Sequence, residues 1–181
     1  MKHALFAAAL GVTAAFAPPG SAETIHSTDV YLKYNILDAS QFAAAGGRIE
    51  VYGAPQNGAT PEEVAAAIRL PAYLAQRDVT AVAPGQGGYR VALVFAPKAG
   101  LSGESACEGK AKGGQAGSAT KVLVAFCRSE STVLSETRLE ASGAFVPTAR
   151  DFQVGMSRAM KEVLPRRSPF DEGDRFRLRG G

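Results

Sequence analysis

The chain has 181 residues, of which 46% are hydrophobic, 8% aromatic and 20% charged, with 20 Gly and 10 Pro. That balance excludes a disordered, fibrous or low-complexity protein, and no apolar run reaches the roughly 18 residues of a membrane span. The 20 basic residues exceed the 17 acidic ones by a margin that comes from Lys2 and the last residues, so the excess does not describe a nucleic-acid-binding body.

Residues 1–22 read as a secretory signal peptide. Lys2 and His3 precede an apolar run from Ala4 to Phe16, and Pro18, Pro19 and Gly20 lead to the small pair Ser21 and Ala22. The run is too short to span a bilayer permanently. Small residues at Gly20, Ser21 and Ala22 put the expected cleavage after Ala22, so the mature chain would start at Glu23 in the periplasm or outside the cell. Cleavage would leave His26 as the sole histidine.

The expected body is one domain over 23–164. Val30 to Ile36 alternates Val30, Leu32, Tyr34 and Ile36 with Tyr31, Lys33 and Asn35, the period of a strand with one buried face. A second strand follows Gly46 and Gly47, with Ile49 and Val51 on one side and Arg48, Glu50 and Tyr52 on the other. The loop Gly53–Gly58 precedes a helix and faces its N-terminus, but Glu62 and Glu63 already answer the helix dipole and would repel an anion, so it reads as a plain turn. Thr60, Pro61 and Glu63 form a capping box with proline at the first helical position. The helix they start buries Val64, Ala67 and Ile68, and Pro71 ends or bends it near Leu70.

Val79–Ala83 fits a short strand, and Gly85 to Gly88 a turn before the strand Tyr89–Ala96. The apolar runs Val91–Phe95 and Val122–Phe126 mark central strands covered on both faces. Between them lie Cys107 and then a stretch to Thr120 rich in Gly, Ala, Lys and Ser. Cys107 and Cys127 are the only cysteines, an even number in an oxidising compartment, and their pairing would close this otherwise floppy loop. Thr132–Ala141 carries Glu136, Arg138 and Glu140 on one side, which reads as a solvated face near a sheet edge. After Pro147, Thr148 is placed to cap a helix with Asp151 at its third position; Phe152, Met156, Ala159, Met160 and Val163 form its core stripe, and Pro165 ends it. The fold class expected from this order is α+β: a two-layer sandwich of a mainly antiparallel sheet of about five to six strands, with two helices on one face.

Residues 165–181 form a basic tail rich in Pro, Arg and Gly that has no apolar face large enough to fold alone. Arg166, Arg167, Arg175, Arg177 and Arg179 supply the excess charge, leaving 14 basic and 14 acidic residues between Glu23 and Pro165. The tail reads first as a disordered, solubilising terminus. Its alternation of Arg175, Phe176, Arg177, Leu178 and Arg179 also makes it the candidate partner-docking strand, able to reach a sheet edge or make weak contact with anionic lipid.

Several chemistries lack their parts. The sole mature histidine, His26, lies close to the expected N-terminus, a poor place for a general base. A Ser–Lys dyad would have to use Ser102, Ser105 or Ser118 with Lys121 around the flexible stretch. Gly103–Ala111 only approximates a P-loop, with a wrong spacing and Ala111 where the magnesium-binding hydroxyl belongs. Two cysteines 20 apart match no zinc spacing. No catalytic residue, metal or other cofactor is therefore expected. The expectation is an exported, non-catalytic binding or accessory module whose partner is another protein of the cell envelope, with no nucleic acid bound. Two alternatives stand beside it: a hydrolase using paired carboxylates, and a peripheral membrane protein held by its arginine tail.

Overall fold

A computed structural model describes residues 23–168 and 170, apart from residue 76. Ten elements follow one another: β1 (Glu23–Val30), α1 (Ile36–Ala44), β2 (Arg48–Tyr52), α2 (Pro61–Ala66), β3 (Thr80–Val82), β4 (Arg90–Phe95), α3 (Gly103–Cys107), β5 (Ala119–Cys127), β6 (Val133–Ser142) and α4 (Arg150–Val163). The six strands form one sheet in the order β1-β6-β5-β4-β2-β3. The β1–β6, β6–β5 and β5–β4 pairs are antiparallel, while β2 runs parallel to both β4 and β3. The α+β sandwich expected from the sequence is what forms, with four helices in place of the expected two: α1, α2 and α4 cover one face and α3 the other.

Alternation along the strands sends side chains to two cores. Ile49, Val51, Val91, Leu93, Phe95, Val122, Val124 and Phe126 pack with Phe42 of α1, Val64 of α2, and Phe152, Met156 and Met160 of α4. Phe126 is the hub of an aromatic group, its ring 5.5 Å from Phe42 and stacked with Tyr89 at 6.2 Å. Each such fully buried ring contributes on the order of 1.5–3 kcal/mol. On the other face Tyr52, Ala92, Val94, Leu123 and Ala125 pack against Ala106 and Cys107 of α3. The small side chains there leave room for a thinner cover, and one five-residue helix supplies it.

Three sequence expectations change. The strand read over Val30–Ile36 ends at Val30, and the polar segment Glu23–Val30 is the strand instead. Beyond Val30 the chain turns, with Tyr34 buried but Leu32 78% exposed, and Asn35 caps α1 by accepting from Leu37 while Asp38 accepts from the Asn35 backbone. A two-residue apolar rhythm ran across a turn, and an Asn/Asp capping box started the helix. Second, the face read as solvated near a sheet edge is so only in part: β6 lies one strand in from the edge strand β1 and Arg138 and Glu140 stay partly exposed, but Glu136 is 7% exposed. What buries Glu136 is α3, whose Gly103 N donates to it, while β1 pairs along the edge of β6. Third, the cap of α4 is Ala149, without a side-chain bond, because the turn from Val146 to Ala149 places Thr148 one residue too early.

The stretch between the cysteines is tied to the sheet. Ala54 N donates to Gly114 O at 3.0 Å, Gly114 N to Phe95 O at 2.9 Å and Ala116 N to Ala54 O at 2.9 Å. Gly53, at φ +74°, permits this close crossing; a Cβ there would stand 2.3 Å from Gly114 O. Gln56 adds side-chain donation to Gly117 O and Gly143 O. The Gly53–Gly58 loop is thus occupied in holding its neighbour.

Candidate functional site

Cys107 closes α3 and Cys127 closes β5, and the two are joined with an S–S distance of 2.00 Å across a Cα separation of 5.6 Å. Both are fully buried. The cystine fixes α3 to the sheet and takes both thiols out of nucleophilic or metal chemistry. Arg175, Phe176, Arg177, Leu178 and Arg179, the candidate docking tail, lie outside the described residues.

Beside the cystine is a buried ion pair that sequence reading missed. Arg90 Nε stands 2.8 Å from Glu50 Oε1, with neither side chain exposed. Glu50 also accepts from Tyr52 OH at 3.0 Å, Gly85 N at 3.0 Å and Gln86 N at 3.2 Å. Arg90 donates onward to Gly88 O, Ser129 O and Cys107 O. Burial, and then the neighbouring Glu50, push the Tyr52 phenol well above its ordinary value, so it stays a donor. Arg90 Nε meets Glu50 as an ion pair without an aligned hydrogen bond, while the terminal nitrogens and both Glu50 oxygens are hydrogen-bonded, and the group joins β2, β4, α3 and two turns.

Two further acids are held the same way. Asp38 receives Arg128 Nη2 at 2.8 Å and Tyr89 OH at 2.7 Å. Burial opposes its ionisation, but the bonds from Arg128, Tyr89 and the Asn35 backbone outweigh that and hold the carboxyl below the ordinary range. Glu136 accepts from Gly103 N at 2.7 Å and stands 3.7 Å from Arg138. These acids staple elements together: α1 to the start of the β5–β6 turn, and β6 to α3. Exposed hollows contain Glu140, Glu104 and Glu63, each as the lone acid of its own lining. Among the described residues no group of three His, Cys, Asp or Glu side chains is placed to hold a metal ion.

A cavity of about 610 Å³ is of a different kind. It is a groove between the end of α2 and the outer face of α4. Ala66 and Ala67 form one side with Arg69, and Arg150, Gln153, Val154, Ser157, Arg158 and Lys161 form the other. The α4 residues recur at steps of three and four and so share one face, opposite the buried stripe Phe152, Met156, Ala159, Met160 and Val163. Asp151 and Glu162 fall outside that face. Four cations line the groove and no carboxylate does.

Two of the four are anchored from outside. Arg69 stands 3.4 Å from Asp78 and also donates to the carbonyls of Ala66 and Ile68; Arg158 stands 3.4 Å from Glu23. Each keeps about half its side chain in solvent. Arg150 and Lys161 make no ion pair or side-chain hydrogen bond among the described residues. The spacing of the α4 cations was visible in the sequence, but Arg69 comes from a segment 81 residues before Arg150 and only the fold brings it opposite.

No known protein family, curated protein or solved structure matches the chain.

Proposed function

We propose that this chain is an exported protein, periplasmic or secreted after removal of residues 1–22, that works by binding another protein of the cell envelope without turnover of its own. The observation that carries the reading is the groove between α2 and α4, walled by Arg69, Arg150, Arg158 and Lys161 with no carboxylate among them. Asp78 and Glu23 partly answer Arg69 and Arg158, but Arg150 and Lys161 have no ion-pair partner among the described residues, and an oppositely charged partner relieves the repulsion they leave. The buried acids favour binding over chemistry, because Glu50, Asp38 and Glu136 are each engaged by an arginine. The cystine and the absence, among the described residues, of a helix able to cross a membrane are compatible with export as a soluble protein.

A photo-reactive residue placed at Ser157, in the groove wall, tests the reading in intact cells, with one at Leu32 as the comparison. A discrete cross-linked adduct from Ser157, lost on combining Arg150→Glu with Lys161→Glu, is the expected result. Labelling from Ser157 no stronger than from Leu32 would remove the groove as a partner site. Recovery of uncleaved, cytoplasmic protein would remove the export.

A further inference from the structure

We propose that the α2–α4 groove takes an extended acidic polypeptide segment, with carboxylates on alternate residues facing α4. The inference rests on the binding role above and adds the chemistry of what binds. From Arg150 to Lys161 the helix rises about 16 Å at 1.5 Å per residue. An extended chain advances about 3.4 Å per residue, so acids at every second position stand about 7 Å apart and three of them cover about 14 Å. The cationic run and such a segment therefore match in length.

The shape of the groove favours a chain over a flat surface. Arg69 stands on the opposite wall, so the positive charge lies on two sides, where one strand can meet both and a bilayer headgroup plane meets only the rim. Ala66 and Ala67 keep that wall low, which allows a peptide backbone to approach, and Gln153 and Ser157 offer side-chain donors and acceptors for its amides. Arg69 and Arg158 each bring one Nη within 3.4 Å of an acid, Asp78 and Glu23, and keep about half the side chain in solvent. The remaining guanidinium nitrogens are free to fork onto a carboxylate, and Arg150 and Lys161 bring charge that no ion pair among the described residues neutralises.

The test uses the purified exported protein and a fluorescent ten-residue peptide of alternating Glu and Ser, with the Gln-for-Glu peptide as control and vesicles rich in phosphatidylglycerol as the competing surface. Binding measured by anisotropy is expected for the Glu peptide alone, weakening steeply between about 50 and about 300 mM salt. Arg150→Glu with Lys161→Glu is expected to reduce it at least about tenfold, and the milder Arg150→Gln with Lys161→Gln to give an intermediate loss, with unchanged circular dichroism in both. Peptide binding indifferent to these changes would overturn the assignment of the site. Vesicle binding without peptide binding would overturn the choice of ligand in favour of lipid. A Ser157 adduct in cells together with no affinity for the peptide would sink this inference while leaving the binding role standing.

Discussion

Arg90 and Glu50 meet diagonally across neighbouring parallel strands, 2.8 Å apart at Nε and Oε1, with both side chains wholly out of solvent. Taking these charges from water costs several kcal/mol each, and the structure answers with Tyr52, the amides of Gly85 and Gln86, and the carbonyls of Gly88, Ser129 and Cys107. Removing one partner strands the other. Arg90→Met and Glu50→Gln are each expected to lower the unfolding free energy by about 3–5 kcal/mol, measured by urea denaturation. The pair changed together to Met and Leu should recover a large part of the loss, because no uncompensated charge is left buried. Single changes that cost less than about 1 kcal/mol would show that water reaches the pair.

The cystine closes a 20-residue separation between α3 and β5. Replacing Cys107 and Cys127 with Ser is expected to cost about 3 kcal/mol by the chain-entropy argument, and to free α3 along with the carbonyl that Arg90 uses. Because both cysteines are buried, a mild reductant should act on the native protein only as fast as it opens. Thermal melting with and without reductant, alongside trapping of free thiols, checks both points; rapid thiol release at native temperatures would contradict the packing of α3.

Asp38 has a carboxyl held below its ordinary value of 3.8 in the folded state by Arg128, Tyr89 and the Asn35 amide, against the opposing effect of burial. A depressed folded value means stability that is fully present above the unfolded value and is lost as pH falls through the folded one. The loss should therefore begin below about pH 5 and continue to the acid side of the ordinary carboxylate range. Asp38→Asn should be less stable near neutrality and show a shallower acid limb over that window, measured by denaturant unfolding at several pH values. An unchanged acid limb would mean that Arg128 gives Asp38 no net stabilisation.

Gly155 lies in the middle of α4 where alanine would ordinarily help a helix by about 1 kcal/mol. Here a Cβ would stand 2.4 Å from Glu23 Oε2 and 3.1 Å from the Phe145 ring. Gly155→Ala is expected to destabilise by about 1–3 kcal/mol, because packing outweighs propensity. Adding Glu23→Ala should recover part of the loss by clearing the nearer contact. A stabilising Gly155→Ala would show that the first residues of β1 pack elsewhere in solution.

Local chemistry was legible wherever a signal is short. The Thr60–Glu63 capping box stands as read, with Thr60 Oγ1 accepting from Glu63 N at 3.3 Å and Glu63 Oε2 from Thr60 N at 2.8 Å. The apolar runs Val91–Phe95 and Val122–Phe126 are the buried central strands, and Cys107 pairs with Cys127. These follow from backbone donors, apolar surface and the chemistry of two thiols, all of which act over a few residues or have no competitor.

Neighbours distant in sequence decided the rest. β1 is polar and gave no strand signal; it is a strand because β6 offers it a ladder, and α3, packed over β6, turns Glu136 from a surface acid into a buried one. Glu50 and Arg90 read as ordinary charged residues until the parallel pairing of β2 and β4 places them in contact. Arg69 joins the α4 cations only because α2 packs on the same face of the sheet as α4. A residue's type and local spacing set what it can do, but burial and partners are properties of the assembled sheet, and those fix whether a charge becomes a staple or a binding wall.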